Sequence, residues 1–155
     1  MHGISLEIQK EMVISFHNLV LDYNGTLAHD GILLPGVRER LTTLACSIRI
    51  TVLTADTFVM AEQQLEGIPI QVHVVRNGLE KLSHIMQIVP EPFITIGNGR
   101  NDVPMMEKAG LRIAVVGPEG VAVELLQAAD IVVTDINRAL DLLINPLQVK
   151  ATLRD

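Results

Sequence analysis

Residues 18–27, NLVLDYNGTL, hold an apolar run that ends on Asp22 and then turns at Asn24-Gly25. A short aliphatic run closed by a turn signal is typical of a buried strand in a parallel sheet. Asp22 would then stand at the carboxyl end of that strand. Open parallel sheets bind their ligands outside this end, so the stretch raises the question of what Asp22 does there.

From residue 18 onward, strand-length apolar runs alternate with segments of helical period. The six strand runs are NLVLDY, IRITVLTA, IQVHVVR, FITIGNG, LRIAVVG and IVVTD. Six βα units in succession predict an α/β fold with a doubly wound parallel sheet and helices on both faces. Ahead of them, residues 4–8 and 12–16 alternate around QKE and predict a β-hairpin. We expect one domain over residues 1–155, with the hairpin in 1–16 and the core in 17–155.

Composition narrows the possible functions. The chain has 155 residues, 48% of them hydrophobic, and a formal net charge of -6. This acidic balance argues against nucleic acid and anionic membranes as partners. Cys46 is the single cysteine, which excludes a disulfide framework. The charged N-terminal stretch matches neither a signal peptide nor a spanning helix, so we expect a cytoplasmic protein.

Several polar residues follow the strand runs and are predicted to meet at one edge of the sheet. They are Asp22 after the first core strand, Thr54 and Asp56 after the second, Asn98, Asn101 and Asp102 after the fourth, and Lys81 in the helix before the fourth. Each alone is more often a cap or a solvated charge. Together they are suited to binding phosphate and magnesium.

The chemistry of these groups favours phosphoryl transfer. A carboxylate such as Asp22 can act as a covalent nucleophile, and Mg²⁺ prefers oxygen ligands and substrate phosphates. Lys81 and Thr54 can stabilise charge on the transferred phosphoryl group. Backbone amides of the Asn24-Gly25-Thr26 turn can form an anion-binding concavity.

In these motifs the chain resembles the haloacid dehalogenase superfamily of aspartyl-phosphate enzymes, and within it the soluble P-type ATPase-like hydrolases. LVLDYNGTL is similar to the first family motif, Asp-x-Asp-Gly-Thr, and ITVLTAD to the second, Leu-Thr-Gly-Asp. Lys81 takes the place of the third motif. IGNGRNDVPMM resembles the fourth, Gly-Asp-Gly-x-Asn-Asp-x-Pro. The resemblance implies an Mg²⁺-dependent phosphatase or phosphotransferase acting on a phosphorylated small molecule or macromolecule.

The resemblance also assigns roles to individual residues. Those implied for the reaction are Asp22 as nucleophile, Asn24 at the acid/base position, and Thr54 and Lys81 as catalytic phosphate binders. Those implied for phosphate binding are Gly25, Thr26, Ala55 and Asn101. Those implied for Mg²⁺ are Asp22, the backbone carbonyl of Asn24, the side chain of Asn98, and Asp102 in the metal shell.

Two positions depart from the family pattern. Hydrolytic members carry an aspartate where this chain has Asn24, and an amide has no proton to exchange near neutral pH. We therefore expect slow hydrolysis of the phosphoenzyme. Asn98 stands where the family usually has a metal carboxylate, so weaker Mg²⁺ affinity is expected. A catalytically weak phosphate- or partner-binding module is the alternative that these two amides favour. A receiver-like signalling domain is disfavoured, because its acceptor aspartate follows a middle strand.

Spacing predicts that the site is uncapped. Residues 27–35 leave room only for a small flap, and residues 55–80 are used by one helix, one strand and a turn. A large substrate, a partner or a neighbouring subunit would then have to exclude water, so a homo-oligomer is one expectation. The five histidines lack metal-ligand spacing and are interpreted as structural. His29, in the flap, is a candidate for substrate contact. GPEG, residues 117–120, is interpreted as a turn.

Overall fold

The computed structural model of the protein describes residues 1–9 and 12–154. The strands are β1 (Ile4–Gln9), β2 (Met12–Phe16), β3 (Asn18–Asp22), β4 (Ala28–His29), β5 (Ile32–Leu33), β6 (Arg49–Thr54), β7 (Ile70–Val74), β8 (Phe93–Gly97), β9 (Leu111–Val115) and β10 (Ile131–Val133). The helices are α1 (Val37–Ala45), α2 (Phe58–Gln64), α3 (Gly78–Ile88), α4 (Val103–Lys108), α5 (Val123–Ala128), α6 (Ile136–Ile144) and α7 (Leu147–Leu153). A 3-10 turn, Arg100–Asp102, precedes α4.

Six strands form a parallel sheet in the order β10-β9-β8-β3-β6-β7. All five residues of β3 are buried, as expected for a strand between two parallel neighbours. Asp22 pairs in register with Leu53 of β6, and Leu21 pairs with Ile96 of β8. The predicted doubly wound sheet is confirmed, and it puts the ends of β3, β6 and β8 side by side.

Helices cover both faces of this sheet, as β3 illustrates. Leu19 and Leu21 belong to a core shared with α1, α6, α7 and the N-terminal hairpin. Val20, between them in sequence, belongs to a second core with residues of α3 and α4. Successive side chains of a strand point to opposite faces, so the aliphatic run supplies both cores at once.

The N-terminal hairpin is confirmed as well. Strands β1 and β2 are antiparallel, with Ile4 opposite Phe16, and the predicted turn at QKE lies partly outside the described residues. Helix α7 packs against β1, and Lys150 of α7 lies 2.6 Å from Glu7. The sequence did not predict α7, a short helix that follows Pro146.

The segment after β3 forms only a small flap. Strands β4 and β5 pair as an antiparallel ribbon of two residues each, and residues 55–80 contain α2, β7 and the beginning of α3. Neither segment holds an inserted cap, in agreement with the spacing. In residues 1–9 and 12–154, the structure contains no helix with the length and hydrophobicity that a membrane span requires.

Candidate active site

The loop after β3 turns sharply because one carbonyl gathers several amides. The carbonyl oxygen of Tyr23 accepts hydrogen bonds from the backbone amides of Thr26 at 3.2 Å, Leu27 at 2.8 Å and Ala28 at 3.1 Å. Gly25 adopts a φ of 78°, a conformation that glycine reaches without the steric cost of a side chain. The turn leaves Asp22 at the carboxyl end of the strand, only 8% exposed.

Lys81 joins two carboxylates beneath this loop. Its Nζ lies 2.6 Å from Oδ1 of Asp22 and 2.6 Å from Oδ1 of Asp102. The Lys81 side chain is 1% exposed. A buried ammonium needs this pairing, because removing its charge from water without a partner would cost several kcal/mol.

Burial and charge act against each other in this group. Burial and the neighbouring Asp102 raise the pKa of Asp22 to about 7, although Lys81 and Thr26 act to lower it. For Lys81, burial lowers the pKa, but the carboxylates of Asp22 and Asp102 outweigh it and the net pKa is raised. The ammonium therefore stays charged, while Asp22 is poised to exchange its proton near neutral pH.

Asp102 is fully buried and committed to the interior. Its Oδ2 accepts from the backbone amides of Asn98 at 3.1 Å and Gly99 at 3.0 Å, while its Oδ1 faces Lys81. A Cβ at Gly97 would come within 2.6 Å of the same carboxylate, so the strand can end this way only on glycine. The sequence assigned Asp102 to the metal shell. With both oxygens already bonded, its position favours an indirect role through Lys81 and the loop.

Asn98 and Asp22 share a hydroxyl. The Thr26 Oγ1 lies 3.2 Å from both Asp22 Oδ2 and Asn98 Oδ1. The side-chain nitrogen of Asn98, Nδ2, donates to the backbone carbonyl of Gly120 at 3.2 Å. This bond leaves Oδ1 of Asn98 on the side of Thr26 and Asp22. Two side-chain oxygens thus converge at the end of β3.

This oxygen donor set suits a hard cation such as Mg²⁺. Asp22 and Asn98 are the side chains that would hold it, together with the backbone carbonyl of Asn24. Within residues 1–9 and 12–154, no three His, Cys, Asp or Glu side chains form a metal-binding group. Such a site would therefore have one carboxylate, that of Asp22, and would otherwise depend on neutral amide and carbonyl oxygens.

Asn24 connects the loop, the flap and the end of β6. Its Nδ2 donates to Thr57 Oγ1 at 3.0 Å, and its Oδ1 accepts from the Gly31 amide at 3.1 Å. Thr57 Oγ1 lies 2.7 Å from Thr54 Oγ1. Tyr23 adds a second tie, donating from its hydroxyl to the Gly31 carbonyl at 2.7 Å. Asn24 therefore holds the flap against the loops that follow β3 and β6.

A cavity of about 230 Å³ opens above Asp22. The residues lining it are Asp22, Asn24, Thr54, Ala55, Asp56, Lys81, Asn98, Gly99, Asn101 and Glu119. Gly25, Thr26 and Asp102 belong to the predicted set but do not line the cavity. Thr26 and Asp102 are fully buried and support the residues that do.

The sequence did not predict the roles of Glu119 and Thr57 in the site. Glu119, in the turn at 117–120, lines the cavity, and Thr57 links Thr54 to Asn24. No local pattern distinguishes either from an ordinary turn or helix-start residue. His29 lies in the flap beside Asp30, outside the cavity lining.

A larger cavity, about 330 Å³, lies at the opposite end of the sheet. It is lined by residues at the amino ends of β3 and β6, among them Asn18 and Arg49. No buried ion pair like that of Lys81 lies there in the described residues, so the chemistry is concentrated at the carboxyl end.

The chain is similar in sequence to proteins of one known family. A family model described as haloacid dehalogenase-like hydrolase matches residues 52–139, more than half of the chain. An uncharacterised protein of Methanocaldococcus jannaschii is 52% identical over 62 residues, covering 40% of this chain and 67% of that protein. A phosphoglycolate phosphatase of Methanosarcina acetivorans is 49% identical over 39 residues, but these span 25% of this chain and only 17% of the phosphatase.

Solved structures share the fold across nearly the whole chain. The 3-deoxy-D-manno-octulosonate 8-phosphate phosphatase of Moraxella catarrhalis, solved with magnesium, phosphate and the sugar acid, has a TM-score of 0.65 and 16% identity. The similarity covers 89% of each chain. The Yersinia pestis enzyme of the same name has a TM-score of 0.61 and 18% identity, over 89% of this chain and 84% of that one.

Proposed function

Because the chain belongs to the haloacid dehalogenase-like hydrolases, we propose that it is a phosphatase or phosphotransferase that works through an aspartyl phosphate on Asp22. The observation that carries the proposal is the buried Lys81 bound at 2.6 Å to both Asp22 and Asp102, at the floor of the cavity. Burying these three charged groups is costly, and strongly perturbed titratable groups of this kind cluster at functional sites.

In the proposed reaction, a carboxylate oxygen of Asp22 attacks the phosphorus of a phosphorylated substrate. The bond between phosphorus and the leaving oxygen breaks, and that oxygen departs with the bonding electron pair and takes a proton from solvent. Water then attacks the phosphorus of the aspartyl phosphate and loses a proton to solvent, which releases inorganic phosphate and regenerates the carboxylate. A nucleophile of this kind divides one difficult step into two easier ones.

The surrounding residues position and stabilise the transferred group. Thr54, Ala55 and Asn101 line the cavity and offer a hydroxyl, a backbone amide and a side-chain amide to phosphate oxygens. Lys81 contributes positive charge next to the attacking carboxylate. Mg²⁺ bound by Asp22, Asn98 and the Asn24 carbonyl would neutralise phosphate charge. Gly25 and Thr26 shape the loop that presents these groups.

Asn24 is proposed to make the second half of the reaction slow. The amide cannot donate a proton to the leaving group or take one from water, and losing a general acid/base typically costs about 10²–10⁴ in rate. The reaction rate should fall least for substrates whose leaving group needs no proton. The P-type ATPase-like subtype suggested by the motifs is part of this proposal, because a long-lived aspartyl phosphate suits it.

The substrate is proposed to be phosphorylated, and either a small molecule or a macromolecule. Nucleic acid and membranes are not expected partners of this acidic chain, and we propose a cytoplasmic location. A catalytically weak phosphate- or partner-binding module is the second candidate, favoured by Asn24 and Asn98. Turnover of a generic phosphomonoester with and without Mg²⁺, beside Asp22→Asn, separates the two. Mg²⁺-dependent turnover lost in Asp22→Asn supports the enzyme, and identical low rates in both proteins support the binding module.

A further inference from the structure

The proposed metal site is short of negative charge. Asn98 and Asn24 contribute neutral oxygens, and both Asp102 oxygens are bonded to Lys81 and to backbone amides. Lys81 moreover places a positive charge 2.6 Å from Asp22. A divalent cation prefers carboxylates that balance its charge, so a second carboxylate would be expected near this end of the cavity.

Glu119 is placed to supply it. Its side chain lines the same cavity as Asp22 and Asn98. A Cβ built on Gly25 would come within 2.7 Å of Glu119 Oε2 and within 2.6 Å of Asn98 Nδ2. The Glu119 carboxylate and the Asn98 amide therefore flank the same small space beside the nucleophile loop, which a side chain at residue 25 would fill.

The turn that carries Glu119 is held against the site by several contacts. Asn98 Nδ2 donates to the Gly120 carbonyl at 3.2 Å, and the Ala122 amide donates to the Asn98 carbonyl at 2.8 Å. Gly117 packs so closely that a Cβ there would lie 2.2 Å from the Gly25 carbonyl oxygen. The position of the Glu119 backbone is thus set by the two loops that form the proposed metal site.

The Glu119 side chain itself is uncommitted. Residue 119 is exposed, and within the described part of the chain no hydrogen bond or ion pair engages its carboxylate. Nearby glutamates differ: Glu124, for example, lies 2.9 Å from Arg100. The Glu119 carboxylate is therefore available to interact with a cation bound in the cavity.

We propose that Glu119 provides the negative charge that Asn98 lacks, and so holds the divalent cation at the Asp22 site, either directly or through bound water. This inference rests on the proposed function, because it takes Asp22 as a metal ligand. In water, one charge at about 6 Å from a divalent ion changes affinity about tenfold. The metal affinity should therefore follow the charge at residue 119 in steps.

The test measures Mn²⁺ binding by electron paramagnetic resonance, with no substrate present. Wild type, Glu119→Gln and Glu119→Lys form a charge series, and Glu62→Gln and Glu62→Lys are matched controls on an exposed helix position outside the cavity. We expect Kd to rise about tenfold in Glu119→Gln and about a hundredfold in Glu119→Lys. The Glu62 variants should bind like wild type.

Asp22→Asn keeps the failure of this inference apart from that of the proposed function. If Asp22→Asn abolishes Mn²⁺ binding but the Glu119 variants match their Glu62 controls, the role of Glu119 is overturned and the metal site stands. If wild type and Asp22→Asn bind Mn²⁺ equally, or neither binds it, the metal assignment of the proposed function is overturned together with the inference.

Discussion

Lys81 and Asp22, 59 residues apart in sequence, meet at 2.6 Å in a buried ion pair at the end of the central strand. Asp102 completes the group, and its Oδ1 also lies 2.6 Å from the Lys81 Nζ. Desolvating three charges together is costly, and one ammonium cannot neutralise two carboxylates. The group therefore has an excess of buried negative charge, which a bound cation would neutralise.

Replacing Lys81 should destabilise the protein severely. In Lys81→Met two buried carboxylates lose their cation, and breaking such a group typically costs about 3–5 kcal/mol. The loss should be smaller at low pH, where Asp22 holds a proton. Urea unfolding of wild type and Lys81→Met checks this, with Lys108→Met at the exposed end of α4 as the control. Equal unfolding free energies for the three proteins would show that the ion pair contributes little.

The stability of the metal-free protein should fall as pH rises toward neutrality. The pKa of Asp22 is raised from 3.8 to about 7 in the folded state, so the folded protein binds this proton more tightly than the unfolded chain. The resulting stabilisation is full below the unfolded value and is lost as pH rises through about 7. Thermal unfolding in EDTA across this range tests the direction. In Asp22→Asn this part of the pH dependence should vanish; its persistence would assign it to another group.

Asn24→Asp should restore proton transfer. An aspartate at residue 24 can still accept from the Gly31 amide and from the Thr57 hydroxyl, so the flap brace survives. Turnover of a substrate with a poor leaving group, such as an alkyl phosphate, should rise by about 10²–10⁴-fold, the range typical of general acid/base catalysis. Turnover of an activated aryl phosphate should rise less. Measuring both substrates on fresh protein gives the comparison, with intact mass excluding deamidation.

If the two substrates respond equally, Asn24 does not limit proton transfer and another residue supplies the proton. Asp56 and Glu119, which also line the cavity, would be the next variants to examine.

Because only a small flap covers the cavity, we expect another molecule to exclude water from the site. Hydrogen bonds from Tyr23 and to Asn24 hold the flap in place, and in the part of the chain that the structure describes no inserted cap follows β3 or β6. We expect either a homo-oligomer in which a neighbour covers residues 27–35, or action on a large phosphorylated partner. Light scattering combined with steady-state kinetics decides the matter. A monomer that hydrolyses small phosphomonoesters efficiently would contradict the expectation.

The sequence was sufficient to bring Asp22, Thr54, Lys81 and Asn98 together. Each follows or precedes a strand run, and parallel strands end at a common edge, so chain order alone predicts their proximity. The alternation of strand runs with helical segments predicted all six βα units, and the separate two-residue alternation of residues 4–8 and 12–16 predicted the N-terminal hairpin. Helix α7 was missed because seven residues after Pro146 give little helical periodicity.

The remaining features depend on tertiary contacts that no local pattern encodes. Glu119 enters the site because Gly117 packs against the Gly25 carbonyl across the sheet edge. Asn24 holds the flap in place because its Nδ2 donates to the Thr57 hydroxyl and its Oδ1 accepts from the Gly31 amide, and both partners are distant in sequence or set by the fold of the flap. The rings of His73 on β7 and His84 on α3 lie 4.6 Å apart between centroids and are tilted by 57°, although 11 positions separate the two residues in sequence.

The central claim is that Asp22 accepts a phosphoryl group, and the direct measurement is intact-protein mass spectrometry after acid quench. Wild type incubated with Mg²⁺ and an acyl phosphate should gain the mass of one phosphoryl group, which peptide mapping should locate at Asp22. The phosphorylated protein should accumulate, because Asn24 makes hydrolysis of the aspartyl phosphate slow. Asp22→Asn and wild type in EDTA should gain none. A phosphoryl group on another residue, or rapid Mg²⁺-dependent turnover by Asp22→Asn, would contradict the account.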